Sequence, residues 1–554
     1  MSKGKSTSGH GGDRTEFIGS QVGGKSVINY CYTDMPWRLV AYDIRYFFTF
    51  SWALPWIIWP LRPCDSGPFD ELSLTAENVW CIFIHLLLAL CQLAFLLLLP
   101  VGLLLPVYLF IAALAAFFLI NWLLCRCLNG STITYESDPK YAPTLAAHEH
   151  EQWIFLNGVA VGEAWMKSNI NRLALTFKRP VLGIHNRTNG IVFDVIECLI
   201  QRNFSYATKD VRVAYKIIKE KLYNPQYSKV IFILHSQGGI EGGLVLDWLL
   251  QELAHDLLAK LEVYTFGNAA NHFNNPHRHI DSQAEQKYLS AKIRVSEVTI
   301  DIPLTDSPVD IKAPPPARHI SSTSRSSIQS IDIPQPLSPI EKDTRTPPPP
   351  PPPQTSTVST ASTISTISTH GRAIGHVEHY AHTTDFVALW GLLHFVTNER
   401  ASPEMPRFMG RVFKRVSSRG GHQFCQHYLD GMFPLSRNDS GEFTGCADSN
   451  DFMEGIVEIA KEGTEMRDVR ECIEKSWAMM ELAGEPDSTI PTEIVVHGSD
   501  SGSLHGSLRG TFRGYDPSLF EGRVKVKHLS RLWQYRNGGS PSALPRGMIR
   551  ELTI

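Results

Sequence analysis

Between Val79 and Cys125 the chain carries no Asp, Glu, Lys or Arg. No other stretch limits the possible folds so sharply. A membrane-crossing helix needs about 20 apolar residues, so the run 79–124 holds roughly two spans. Pro100, Gly102 and Pro106 divide it, and the divider 100–106 is itself apolar. Two arrangements follow. One is a pair of transmembrane helices joined by a very short buried turn. The other is a hairpin that dips into one leaflet and returns. Either leaves both flanks on one side, and Arg62 before and Arg126 after mark that side as cytosolic. A buried pair of soluble core helices is the remaining alternative.

The flanks agree with a membrane-facing chain. Residues 1–30 are rich in Gly, Ser and Lys and read as a disordered start. No apolar core of a signal peptide lies near the terminus, so no cleaved signal is expected. Residues 31–78 hold an aromatic segment, with Trp37, Tyr42, Phe48, Trp52, Trp56 and Trp59 punctuated by Arg38, Arg45 and Arg62. It reads either as an interfacial segment on a bilayer or as an amphipathic helix packed on the globular domain. The ten cysteines are scattered and read as reduced thiols. Cys125 and Cys127 end the apolar run, where acylation or idle thiols are both open.

The second constraint is the stretch 229–250. Lys229-Val230-Ile231-Phe232-Ile233-Leu234-His235 is an apolar, β-branched run of strand length. Ser236-Gln237-Gly238-Gly239 breaks it, and 244–250 resumes at helical spacing. A strand, a tight turn with serine at its tip and a helix make a nucleophile elbow, the mark of an α/β-hydrolase. The residues two positions either side of the serine must be small so that strand and helix can pass closely. Gly238 meets that need, whereas Leu234 stands where glycine is usual. The helix start beneath Ser236 offers free N–H groups and a positive dipole end to a developing oxyanion.

Around this element, residues 131–435 read as an α/β domain. Strands are expected at 153–158, 180–186 and 261–268, with helices at 162–177 and 210–222. Alternation of this kind implies a mostly parallel sheet with reactive groups at the strand C-terminal ends. Residues 285–370 interrupt it with an uninterrupted proline run, 347–353, and a Ser/Thr-rich repeat. That composition reads as a disordered insertion. It is either inert or a docking site for a proline-reading domain, and Ser307, Ser338 and Thr346, each before proline, are candidate kinase sites. The globular pattern resumes at Val377 and ends near Leu429. A helical extension is expected over 436–483, centred on 453–482, and a largely disordered basic tail over 484–554, solvated or touching an anionic membrane face.

A serine nucleophile needs a base and a carboxylate to orient it, in the chain order Ser, Asp, His. Asp385 follows an apolar-aromatic strand. His422 sits after a glycine pair, and His427 in the segment that follows is the runner-up base. The oxyanion donors are expected from the backbone of Gln237 and from Gly158 or Val159 after the 153–158 strand. Asn157 either orients that loop or simply forms an Asn-Gly turn. His148 and His150 are two apart and face different ways on a helix, and His272, His277 and His279 lack Cys or Asp partners, so no metal is expected. No cofactor is implied. A net charge of −3, with no phosphate loop, dinucleotide fingerprint or nucleic-acid module, argues against nucleic acid as a partner.

Together, His-Ser-Gln-Gly at 235–238, Thr-Phe-Gly-Asn at 265–268, His-Thr-Thr-Asp-Phe-Val at 382–387 and Gly-His at 421–422 resemble the class 3 lipase branch of the α/β-hydrolases. The resemblance is nearest to its membrane-anchored fungal members and covers about residues 150–435. It implies a Ser236–Asp385–His422 triad without metal, acting on acyl esters such as acylglycerols or phospholipids. The expected setting is an endoplasmic reticulum membrane or lipid-droplet surface, with the domain and both termini cytosolic. A catalytically inactive membrane scaffold and an acyl-thioesterase are the rival expectations.

Overall fold

The computed structural model describes residues 14–19, 35–276, 278, 372–397, 409–417, 420–459 and 525–541. The whole of the insertion expected at 285–370 therefore lies outside the described residues. So do the candidate kinase sites Ser307, Ser338 and Thr346, and His277 and His279.

The strands are β1 (Arg14–Ile18), β2 (Thr134–Glu136), β3 (Glu151–Leu156), β4 (Val181–Ile184), β5 (Lys229–His235), β6 (Leu261–Phe266), β7 (His376–His382), β8 (Arg411–Val416), β9 (Leu435–Arg437), β10 (Phe443–Cys446) and β11 (Val457–Ile459). Nine form one sheet in the order β11-β1-β8-β7-β6-β5-β3-β4-β2, and β9 and β10 pair separately. From β4 to β8 every neighbour is parallel, while β2 and β1 lie antiparallel to β4 and β8. The class is α/β with a mostly parallel sheet, as the alternation implied.

Helices cover both faces of the sheet, which is why β5 is apolar at nearly every position. Alternate side chains leave on opposite faces. Trp153, Phe155, Ile231 and Ile233 join a core with Met166, Ile170, Leu173 and Phe177 of helix Glu163–Phe177. Ile154, Leu156, Val230, Phe232 and Leu234 join a second core with the apolar faces of helices Lys209–Tyr223 and Gly238–Glu252. In order, the main helices are α1 (Pro36–Phe50), α2 (Ala76–Gly102), α3 (Val107–Asn129), α4 (Glu163–Phe177), α5 (Ile191–Phe204), α6 (Lys209–Tyr223), α7 (Gly238–Glu252) and α8 (Phe386–Trp390).

The chain runs from β3 outward to β4, then returns to place β5 on the other side of β3. Strand order reverses there, so the loops after β3 and β5 diverge and leave a crevice at their C-terminal ends.

α2 and α3 are long and apolar enough to cross a membrane, and residues 103–106 join them. α1 joins two of the expected alternatives. Its inner face docks through Asp43, buried and bound by Arg202 Nε of α5 at 3.0 Å. Its outer face and the turn after it leave Trp37, Tyr42, Phe48, Trp52 and Trp59 exposed.

Three boundaries differ from expectation. Within the segment read as a disordered start, Arg14–Ile18 is a strand between β11 and β8. Where a helical extension was expected from 436, the described residues form β9, β10 and β11, and β11 pairs with β1. Residues 460–483 lie outside the described residues. The basic tail is neither solvated nor unstructured over 525–541, where Leu532, Trp533 and Tyr535 are buried in the core. Its cations are engaged: Arg531 pairs with Glu262, and Lys525 and Lys527 pair with Glu454. The domain expected at 131–435 thus recruits both ends of the chain, because the sheet's far edge and its lower rim need cover that 131–435 does not supply.

Candidate active site

The apolar run of β5 delivers Ser236 to the centre of the sheet's C-terminal rim. Ser236 has φ +57°, a left-handed conformation that a non-glycine residue adopts only under constraint. Its N–H donates to the Phe266 carbonyl at 3.0 Å, and its own carbonyl accepts from Gly239 and Ala269. The turn therefore cannot relax.

Close passage of strand and helix rests on two glycines. At Gly238 a side chain would meet the Leu156 carbonyl at 2.6 Å. The bulk of Leu234 is met from the other side, since the Leu234 side chain fills the space a Cβ at Gly242 would occupy. The small residue that close passage needs on this side stands at Gly242 of α7 and not at position 234.

The sheet gathers the other groups. Asp385 follows β7 and caps α8, its Oδ1 accepting the Val387 N–H at 2.8 Å. His422 Nδ1–H donates to Asp385 Oδ2 at 2.9 Å, and His422 Nε2 accepts from Ser236 Oγ at 2.9 Å. Tyr428 Oη donates to the same Asp385 oxygen at 2.7 Å. Asp385 is wholly buried, and Ser236 and His422 are 3% and 7% exposed, so water competes little for these bonds. Burial pushes the Asp385 pKa up. The His422 charge and the hydrogen bonds from His422, Tyr428 and Val387 outweigh it and hold the carboxyl below its ordinary value.

Of the two candidate bases, the structure brings His422 to the serine and sends His427 elsewhere. His427 Nδ1 accepts the Gln423 N–H at 2.9 Å, which makes Nε2 the protonated nitrogen that donates to the Pro60 carbonyl. His427 secures the 420–430 segment to the chain after α1. Burial lowers its pKa to about 4, so it stays neutral.

Gln237 begins α7, and its N–H, like that of Val159, has no acceptor among the described residues. Gly158 abuts Ser236: a Cβ there would lie 3.0 Å from Ser236 Oγ. Asn157 does more than turn the chain. It exchanges bonds with the Asn186 backbone at 2.8 and 2.9 Å, and Asn186 Nδ2 donates to Gln237 Oε1 at 2.9 Å. The ends of β3, β4 and β5 are tied together by these amides.

Four residues were missed by sequence reasoning. Asn186 was visible only as the polar exit of a strand. Asp194 accepts from Ala160 N, Thr188 Oγ and Asn189 N at 3.0, 2.6 and 2.7 Å, fixing the loop that holds Val159; burial, opposed by these bonds, raises its pKa to about 6. His235 Nε2–H donates to the His422 carbonyl at 2.8 Å, and the two rings stack at 4.8 Å. Burial and the adjacent His422 push its pKa down to about 3. Tyr428 is the fourth. For Asp194, 191 residues before Asp385 is no family spacing that a single sequence could reveal, and nothing local marked it.

Of the histidines weighed as metal ligands, His272 does have an acidic partner, contrary to expectation. His272 is held by Asn271 and Asp247, and among the described residues no cluster of His, Cys, Asp and Glu is arranged to hold a metal ion. An aligned serine, imidazole and buried carboxylate beside two free N–H groups can perform nucleophilic acyl transfer. No protein-family model, curated protein or solved structure matches the chain.

Proposed function

We propose that this chain is a membrane-anchored serine hydrolase of the α/β-hydrolase fold, similar to class 3 lipases, that cleaves acyl esters of membrane lipids. The observation that carries the reading is the unbroken Ser236–His422–Asp385 hydrogen-bond relay at a strained turn over a helix start.

The chemistry follows from the atoms. Ser236 Oγ attacks the ester carbonyl carbon as its proton passes to His422 Nε2. The imidazolium is stabilised by Asp385, and the oxyanion by the N–H groups of Gln237 and Gly158 or Val159. Collapse expels the alcohol, which takes the proton from His422. Water, activated by the same imidazole, then releases the fatty acid and restores Ser236.

The lipid substrate class is supported by the apolar helices α2 and α3 and by the exposed aromatics of α1, which suit a bilayer surface. Arg62 and Arg126 favour the cytosolic face of the endoplasmic reticulum or a lipid droplet. Leu234 gives no ground for an inactive scaffold, because Gly242 accommodates it.

The test is hydrolysis of phospholipid and diacylglycerol vesicles by the full-length protein, beside acyl-thioester vesicles. Ester cleavage that falls by about 10⁴-fold or more in Ser236→Ala, with circular dichroism unchanged, is expected. A folded wild type that cleaves only thioesters would overturn the substrate class, and undiminished cleavage by Ser236→Ala would overturn the nucleophile.

A further inference from the structure

The hairpin does not stand clear of the domain, and that decides how far it can reach into a membrane. Three polar levels latch it. At its base, Asn78 Oδ1 of α2 accepts from Trp165 Nε1 of α4 at 3.0 Å. At the end of α3, Asn129 exchanges bonds with the Thr188 backbone at 2.7 and 3.0 Å. Far along α2, Gln92 Nε2 donates to the Asn189 carbonyl at 2.6 Å and to Asn121 Oδ1 of α3 at 2.8 Å, while Gln92 Oε1 accepts from Val192 N at 3.2 Å. Asn78, Gln92, Asn121 and Asn129, amides that would be costly in hydrocarbon, are thus bound to the domain or to its neighbour, and His85 stacks on Trp165 of α4.

Lipid can enclose the hairpin on all sides only beyond the last latch; below it the domain covers one side, while Trp80, Phe83, Leu86 and Leu90 stay exposed on the other. Past Gln92, roughly ten residues of α2 extend about 15 Å, and roughly fourteen residues of α3 before Asn121 extend about 21 Å. Phe193 of α5 shortens this further by packing against Phe95 and Phe117. The Asn189 side chain is exposed at the latch. A hydrocarbon core is about 30 Å thick and one leaflet about half of that.

The tip has the chemistry of a leaflet interior. Leu97, Leu104 and Val107 are 77%, 85% and 73% exposed. Four of the turn's N–H groups are paired within it: Leu103 donates to Leu99, Leu104 to Val101, Leu105 to Gly102 and Leu109 to Pro106. A hairpin that crossed would place polar residues at the far headgroups, whereas 100–106 has none. Backbone satisfied in this way is what hydrocarbon demands.

We infer that α2 and α3 enter one leaflet of a phospholipid bilayer and return without crossing it. The latch at 188–192 lies in the loop that carries Asn186 and leads to Asp194, so the same contact sets the catalytic rim beside the penetrated leaflet. The inference rests on the membrane association proposed above, and it is independent of the hydrolytic chemistry.

The test places a nitrobenzoxadiazole dye at Leu104→Cys in the full-length chain, with the other accessible cysteines changed to serine, in phosphatidylcholine–phosphatidylserine vesicles. Leu97→Cys serves as a second site should the first fold poorly. Flotation separates the two levels of the account: failure to float would remove the membrane association itself. In floating protein, the expected result is strongest quenching by lipids spin-labelled deep on the acyl chain. Dithionite, whether added outside or trapped inside, should bleach less than about a tenth of the signal. Bleaching of most of the dye by trapped dithionite would show a crossing hairpin and overturn the inference. Bleaching by external dithionite would show a tip on the surface, and quenching that scales with protein density would show a second copy covering it; each overturns the inference as well.

Discussion

The two rims of the sheet are built on opposite electrostatic plans. At the C-terminal rim, Ser236, Asp385 and His422 are joined by imidazoles kept neutral: His235 and His382 are pushed down to about 3 by burial and by nearby positive charge, and His427 to about 4. At the N-terminal rim the strands begin with buried carboxylates, each bound by a cation or by backbone and hydroxyl donors. Glu151 binds Arg179 at 3.0 Å, Glu262 binds Arg531 at 2.8 Å, and Glu378 accepts from the Arg531 N–H at 2.7 Å and from Tyr380 at 2.7 Å. Burial raises the Glu262 pKa, but the Arg531 charge wins and takes it down to about 2. One rim keeps its groups adjustable, and the other fixes a distant piece of chain. The difference teaches where strain and reactivity can be tolerated: the catalytic turn is held by a sheet whose other end is clamped by residues 525–541.

The comparison breaks most sharply under Asp385→Asn. This change should lower kcat/KM by about 10⁴-fold, because the amide favours the wrong imidazole tautomer. The melting temperature should move little. Activity within tenfold of wild type would mean that the carboxylate does not orient His422.

Arg531→Ala acts at the other rim. It leaves Glu262 buried without its cation and should cost about 3–5 kcal/mol of stability, read by denaturant unfolding. The rate per folded molecule should be unchanged. A lowered kcat with unaltered stability would contradict the division between the rims.

Acid should separate the rims in sequence. The folded pKa values of His235, His382 and His427 lie below the histidine reference of about 6.5, so the unfolded chain binds more protons below that pH. Each of the three should lose stability from about pH 6.5 toward pH 4, on the order of 1 kcal/mol per unit per histidine, against a gain from Asp194, whose pKa, raised to about 6, makes the folded state bind more protons there. Glu262, whose folded pKa is also depressed, holds its contribution until pH drops below about 4.5 and loses it toward pH 2. Urea midpoints measured across this range check the order. A midpoint difference between wild type and His427→Gln that stays constant from pH 6.5 to pH 4 would contradict the neutral imidazoles.

Much of this was legible locally. The charge-free run 79–124, the strand–Ser236–helix break, Asp385 behind an apolar strand and His422 behind a glycine pair each announce themselves within about ten residues. The sheet edge was not legible, because Arg14–Ile18 gains strand character only by pairing with Arg411–Val416, nearly the whole chain away. The segment after Met453 has helical spacing, yet Val457–Ile459 is drawn into the sheet by β1. Leu234 looked like a defect in the turn because its partner, Gly242, lies on the helix across from it. The 525–541 clamp reads as a polar tail until Glu262 and Glu378 are seen waiting beneath it.

The central claim is an activated serine, and fluorophosphonate labelling of the membrane-bound protein beside Ser236→Ala tests it most directly. The account predicts rapid labelling of the wild type and none above background in the variant. A folded wild type that resists the reagent, or a variant that still takes it, would contradict the claim.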